Sequence, residues 1–298
     1  MTEQWSCPIQ DAYEMFRMDC EARRFTESTL RFYRFRLFPF IHWCEEKGIV
    51  SLRAITSSHI RIYLVSLQER GLGGYSQHAA ARAIKTFLRF CVREELLPDT
   101  PMKRVSMPRV DRPILPAFDQ AGISRIMAAI TTDRDKAIVL CLLDTGCRAA
   151  EFVAWNGGDV DMSAGTVQVR RGKGGKGRVV YLGKKARKTL LRYYMRRGTP
   201  GPDEPVWLSL RGGRRLTTWG LGQLLKRIGT AAGVEYCTPH TFRRTFALWS
   251  LRNGMNIYAL QRLMGHAGLE VLQRYLALVE HDLGNAHDAA SPVDNWHL

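Results

Sequence analysis

Thr238-Pro239-His240-Thr241-Phe242-Arg243 carries the sharpest chemical signal in the chain. Thr before Pro is a strong helix start, with Thr238 as N-cap and Pro239 at the first helical position. His240 and Arg243 then share one face of the first turn, where free backbone N–H groups and the positive end of the helix dipole also point. An imidazole and a guanidinium so placed suit a phosphate. A capping histidine beside a surface arginine fits the same spacing about as well.

A second candidate lies in Asp144-Thr145-Gly146-Cys147-Arg148-Ala149-Ala150-Glu151. Gly146 ends an apolar helix, and Arg148 with Glu151 opens another at i, i+3 spacing. Such a pair is either a surface ion pair or an arginine held by Glu151 so that its fork faces a ligand. A third is the run Gly172-Lys173-Gly174-Gly175-Lys176-Gly177, which joins two alternating segments, Thr166 to Arg171 and Arg178 to Leu182. It lacks the GxxxxGK[ST] spacing and does not open a helix, so it does not read as a nucleotide loop. It reads as a hairpin bringing Lys173 and Lys176 towards a phosphate, or as a plain β-turn.

Metal chemistry finds little support. The nearest carboxylate pairs, Asp133/Asp135 and Asp159/Asp161, read as a helix start and a turn, with no histidine nearby. No nucleophile elbow supports a Ser-His-Asp site. The expectation is an enzyme with neither metal nor cofactor. His266 follows Gly265 at a helix end, and Tyr275 lies nine residues later on an apolar stretch. Tyrosine in such a place is ordinarily core, and composition alone does not single it out.

These residues need elements to position them. Apolar periodicity and punctuation predict four helices in the first hundred residues: Pro8 to Arg24, Thr26 or Ser28 to Gly48 with Pro39 as a kink, Thr56 to Glu69, and Ser76 to Glu95. Leu97 to Pro116 holds five prolines together with Lys103, Arg104, Arg109 and Arg112, and reads as an extended cationic linker without regular structure. Helices are expected again at Ala117 to Ile130, Asp133 to Leu143, Lys184 to Arg197, Thr217 to Ala232, Pro239 to Asn253, Asn256 to Met264 and Leu269 to Leu278, around one small antiparallel sheet. The expected organisation is therefore a helical domain over 1–97, a linker over 98–116 and a mainly helical second domain over 117–298.

Charge points to the partner. The chain has 298 residues and a formal net charge of +16, with 44 Lys+Arg against 28 Asp+Glu. Arg170 to Arg227 alone holds 17 basic residues against Asp203 and Glu204. A one-sign block within folded sequence is better explained by phosphate contact than by solubility. Hydrophobic residues make up 45%, enough for real cores. No apolar run approaches a membrane span, and the first ten residues do not read as a secretory signal. Seven cysteines with no CxxC pair argue for a reducing cytosol rather than a disulfide framework.

Together, the residues resemble the tyrosine recombinase (phage integrase, Xer-like) family along nearly the whole chain. Four blocks match in order: Thr145 to Glu151, Gly172 to Arg178, His240 to Arg243, and Leu263-Met264-Gly265-His266 followed by Tyr275. The position after the second arginine, commonly His in the family, is Arg244 here.

The resemblance implies a two-domain architecture, a helical core-binding (SAM-like) domain and an α+β catalytic domain. It also implies a catalytic set of Arg148, Lys173, His240, Arg243, His266 and Tyr275, with Glu151 orienting its neighbours. Arg148 and Arg243 would clamp the scissile phosphate. His240 would act as general base or phosphate donor, and Lys173 would protonate the leaving 5′ oxygen. His266 would support the phosphoryl group, and Tyr275 would attack phosphorus to leave a 3′-phosphotyrosine. Arg170, Arg171, Lys176, Arg178 and Arg244, with Arg104, Arg109 and Arg112 of the linker, are expected to hold DNA. The implied partners are double-stranded DNA and further copies of the chain, dimer to tetramer, exchanging strands through a Holliday junction. The segment 279–298 is expected to dock on a neighbouring protomer or to pack as its own terminal helix. The expected location is the cytoplasm, on the nucleoid. With no large arm-binding domain ahead of the helices, a Xer-like or mobile-element recombinase is expected. Two other readings share the constellation: a type IB topoisomerase-like nicking-closing enzyme and a non-catalytic DNA-binding protein.

Overall fold

The computed structural model describes residues 7–110, 117–170, 177–210 and 212–265, together with His287, Ser291 and Val293. The chain divides into two compact units, Met1–Pro113 and Ile114–Leu298.

The first unit is built on α1 (Ile9–Ala22), α2 (Glu27–Glu46), α3 (Ser57–Glu69) and α4 (Gly74–Arg93). Each buries one apolar stripe, as on α1, where Ile9, Ala12, Tyr13, Phe16 and Cys20 face inward. Phe16 anchors the core, meeting Tyr33, Phe87 and Phe90 edge-on at 5.1–5.7 Å between ring centroids. Thr26 caps α2 by accepting the Thr29 N–H, and α2 continues through Pro39. Thr56 caps α3 in a reciprocal box with His59.

The stretch expected as an extended linker departs from that reading at its start. Pro101–Arg104 forms a 3-10 turn capped by Thr100, and Leu97, Met102 and Val105 are buried in the first unit's core. The reason is the spacing of those three apolar side chains among the prolines. They anchor the chain before it can leave the helices.

The second unit contains α5 (Gln120–Ala128), α6 (Asp133–Thr145), α7 (Ala149–Val153), β1 (Val160–Asp161), β2 (Thr166–Val169), β3 (Arg178–Tyr181), α8 (Lys184–Arg197), α9 (Thr218–Ala232), α10 (Pro239–Arg252) and α11 (Ile257–Met264). The sheet is antiparallel in the order β1-β2-β3, with Val167 opposite Val180 and Val169 opposite Arg178. Its first strand, only two residues long, is one more than the alternation pattern suggested. Strand β2 ends at Val169, two residues before the expected Arg171. The core gathers Ile138, Leu142, Phe152, Trp155, Leu190, Trp207 and Phe242, with Trp207 stacked on Phe152 and on Tyr193. All seven cysteines are free and buried. Among the described residues, no helix is long and apolar enough to cross a membrane.

Two glycines shape the part of this unit that carries the polar motifs. Gly146 ends α6 in the left-handed region at φ +56°, and a Cβ there would run into the Phe246 ring. Gly265 ends α11 at φ +62°, where a Cβ would stand 3.1–3.3 Å from the Arg178 guanidinium and stem. Both turns deliver chain directly to a polar cluster.

Candidate active site

Helix α10 starts as its sequence predicts: Thr238 is the N-cap, its hydroxyl accepting the Thr241 N–H at 3.3 Å, and Pro239 occupies the first turn. Arg243, one turn on, is buried, with 6% of its surface exposed. Its Nη1 donates to the Gly146 carbonyl at 2.6 Å and its Nη2 to the Met264 carbonyl at 2.7 Å. Burial, with Arg148 close by, pulls this guanidinium down to about 10, so it stays cationic at neutral pH.

His240 is exposed as a residue, yet partial desolvation of its ring lowers its pKa below 6.5, and the charges of Arg244, Arg243 and Arg148 lower it further. The imidazole is therefore mostly neutral at pH 7, able to accept a proton.

Arg148 stands at the N-cap position of α7 and is half-buried. Its backbone N–H and its Nη1 donate to the two oxygens of Glu151 at 2.9 and 2.8 Å, and its Nη2 donates to the Gly265 carbonyl at 3.0 Å. Glu151 is buried and accepts the first two of these donations, so the pair is not a surface ion pair. Burial alone would raise the Glu151 carboxyl, but hydrogen bonds from Arg178 and Arg148 outweigh it and hold the carboxyl down at about 2.

Arg178, expected among the DNA contacts, is placed elsewhere. It forks onto Glu151 at 3.0 and 2.7 Å and donates Nε–H to the Leu263 carbonyl at 2.6 Å, with 11% of its side chain exposed. Burial beside the Glu151 carboxylate is the physical reason. All three nitrogens of this guanidinium are engaged inside the protein, by a carboxylate and by a helix end. Nothing in the local sequence marked this, because Glu151 is 27 and Leu263 85 residues away.

Three arginines therefore converge on the end of α11. Arg178 takes the carbonyl of Leu263, Arg243 that of Met264 and Arg148 that of Gly265. These are acceptors that a helix leaves unpaired at its negative pole. His266 and Tyr275 follow this turn in sequence but lie outside the described residues, as do Lys173, Arg171, Lys176 and Arg112. So does the segment 279–298 apart from His287, Ser291 and Val293.

The other expected DNA contacts are scattered. Arg104 and Arg109 are exposed on the first unit, and Arg244 is half-buried beside Arg243. Arg170 is half-exposed and paired with buried Asp159. The carboxylates considered for metal are likewise engaged, Asp133 by Arg196 and Asp135 by Arg134 and Arg227. Among the described residues, no three His, Cys, Asp or Glu side chains cluster closely enough to hold a metal ion.

The profile of the phage integrase family matches residues 117–281, and that of the phage integrase N-terminal SAM-like domain matches residues 13–97. The chain belongs to the phage integrase family. Among relatives of this family, the tyrosine recombinase XerA of Thermococcus kodakarensis is 31% identical over 272 residues, covering 89% of this chain and 90% of the relative. The tyrosine recombinase XerC of Pseudomonas putida is 29% identical over 275 residues, covering 91% and 92%. In fold, the chain resembles a lambda integrase solved as a dimer bound to a COC′ core site, with TM-score 0.75 and 17% identity over 91% of this chain and 77% of that one. The mainly helical two-domain architecture with one small sheet is that of the integrase family.

Proposed function

We propose that this protein is a Xer-like site-specific DNA recombinase that cuts and rejoins strands through a phosphotyrosine. One observation carries the reading: Arg148 and Arg243 are fixed by carbonyls of the same helix end, with His240 one turn from Arg243. This is a preorganised cationic corner, built before any ligand arrives and directly adjoining the segment that leads to Tyr275. Its geometry suits the equatorial oxygens of a phosphoryl group in transfer.

In this mechanism Arg148 and Arg243 neutralise the charge growing on the scissile phosphate. The Tyr275 oxygen attacks phosphorus and gives up its proton, with neutral His240 as acceptor or as hydrogen-bond donor to the phosphate. The P–O5′ bond breaks, and Lys173 supplies the proton to the departing 5′ oxygen. His266 supports the phosphoryl oxygens. The product is a 3′-phosphotyrosine and a free 5′-hydroxyl, and attack by a 5′-hydroxyl from a second duplex reverses the step without ATP. No metal or cofactor enters the scheme. Strand exchange between two duplexes calls for a tetramer acting through a Holliday junction. The helical unit over 1–97, the stretch 98–116 and the catalytic unit over 117–298 all bind the DNA, and the segment 279–298 joins protomers. The protein works on cytoplasmic DNA, as part of the nucleoid.

Likeness to Xer recombinases across nine-tenths of the chain favours this reading over a monomeric nicking-closing enzyme. The deciding experiment is a suicide substrate nicked near the cleavage site. The expected result is a protein–DNA adduct that resists denaturant, forms in EDTA and vanishes in Tyr275→Phe. An adduct that requires a divalent metal, or survives in Tyr275→Phe, refutes the mechanism. A reactive monomer that never forms junctions refutes recombination.

A further inference from the structure

Arg148 and Arg243 are the two latches on α11 that the proposed reaction also asks to bind phosphate. Arg178 is the third, and it has no such second task. Its guanidinium spends Nη1 and Nη2 on Glu151 and Nε on Leu263, inside the protein. Glu151 accepts two hydrogen bonds from Arg178 and two from Arg148, so each of its oxygens serves both arginines. Moving one guanidinium moves the carboxylate and, through it, the other. Arg178 also packs against Gly265, whose missing Cβ leaves room for the guanidinium at the point where the chain turns towards His266.

We propose that Arg178 is a positioning residue for strand cleavage. It locks Glu151 to the last turn of α11, and so fixes both the direction of the Arg148 fork and the exit of the chain towards His266 and Tyr275. It does not hold DNA. This rests on the recombinase reading above, and it adds a residue that acts only through others.

The test compares Arg178→Lys with the parent protein on the nicked suicide substrate. Lysine keeps the charge and the stem but cannot fork onto two carboxylate oxygens while reaching the Leu263 carbonyl. Gly265→Ala is the second variant: it keeps the Arg178 side chain chemically intact, but strains the turn at φ +62° and brings a methyl group to 3.1–3.3 Å from that side chain, displacing it. Three quantities are read: DNA affinity against salt, the first-order rate of adduct formation at saturating DNA, and the same rate with a sulfur in place of the bridging 5′ oxygen.

Misplacement of reacting groups by about an ångström costs roughly a hundredfold in rate. The expected result for both variants is a fall of about that size at saturating DNA, with an unchanged dependence of affinity on salt. The sulfur leaving group, which needs no proton, should not restore the rate, since Arg178 acts through Glu151 on Arg148, an arginine assigned to the phosphate and not to the leaving oxygen.

A salt slope reduced by about 0.9, with the saturated rate intact, makes Arg178 a DNA contact and overturns the proposal. Full recovery with the sulfur substrate overturns it too, because the residue would then act through Lys173. A lowered melting temperature with a parent-like saturated rate would leave only a structural role. Absence of adduct from the parent protein itself would instead overturn the recombinase reading.

Discussion

Gly146→Ala tests how closely the helix end and the site are built together. Gly146 lies at φ +56°, so an alanine there bears the left-handed strain of about 1–2 kcal/mol. Its Cβ would also meet the Phe246 ring, and displacing a packed aromatic costs about 1–3 kcal/mol. Against these stands a gain of about 0.4–1 kcal/mol from a less flexible unfolded chain. The net expectation is a loss of about 2–4 kcal/mol, read from urea unfolding of the full-length protein.

The packing part can be isolated, because Phe246→Ala removes the obstacle. In a double-mutant cycle the two substitutions should couple favourably by about 1–3 kcal/mol, leaving only the backbone strain. Because the Gly146 carbonyl receives Nη1 of Arg243, adduct formation should slow in Gly146→Ala and recover in part in the double variant. Additivity within about 0.5 kcal/mol would show that the ring is not what the glycine accommodates, and would refute the reasoning.

Three other outcomes follow from the same geometry. Arg243→Lys cannot reach both the Gly146 and the Met264 carbonyls, and should slow adduct formation by about 10²–10³ while costing about 1–3 kcal/mol of stability; a parent-like rate would remove the phosphate clamp. His240 has a pKa below 6.5, so if it accepts the tyrosine proton the adduct rate is flat through pH 7–8. The rate should then fall only as the pH drops through that lowered value, and an acid limb that persists in His240→Asn would assign it to another group. Arg215 donates to the Val153 and Trp155 carbonyls and to Asn156, so Arg215→Gln should cost about 1–3 kcal/mol and leave the salt slope of DNA binding unchanged. A slope reduced by about 0.9 would place Arg215 on a phosphate instead.

Among the described residues the helices were legible because their signals are local; the helix expected at Leu269 to Leu278 lies outside them. Thr26, Thr56, Thr132, Thr217 and Thr238 each cap the helix that follows, and Gly146, Gly233 and Gly265 end theirs in the left-handed region. The pairing of Arg148 with Glu151 is also local, three residues apart, and so was visible as one of two alternatives. What the chain did not show was anything set by long-range contact. The burial of Leu97, Met102 and Val105 turned part of an apparent linker into core, although its prolines and charges read as solvent-facing chain. The role of Arg178 depends on partners brought together only by folding, and its neighbours in sequence are a glycine-rich, cationic run that suggests DNA.

Long-range contacts also sort the charges of the basic block. Within Arg170 to Arg227, Arg170, Arg178, Arg196 and Arg227 pair with Asp159, Glu151, Asp133 and Asp135. Arg187, Arg197 and Arg215 donate to backbone carbonyls. Lys184, Lys185, Lys188 and Lys226 are exposed instead. The division follows from side-chain chemistry. A planar fork with five donors bridges carbonyls and carboxylates inside a fold, whereas an ammonium on a flexible stem stays hydrated and acts as a point charge. Pairing with aspartate or glutamate cancels charge, but donation to a carbonyl does not, so Arg187, Arg197 and Arg215 still add to the field while being held in place. The block therefore attracts DNA with more charge than it can lay on phosphates. Its paired arginines set the shape of the surface, and its exposed lysines, with exposed Arg192 and Arg214, are the groups left to follow a backbone.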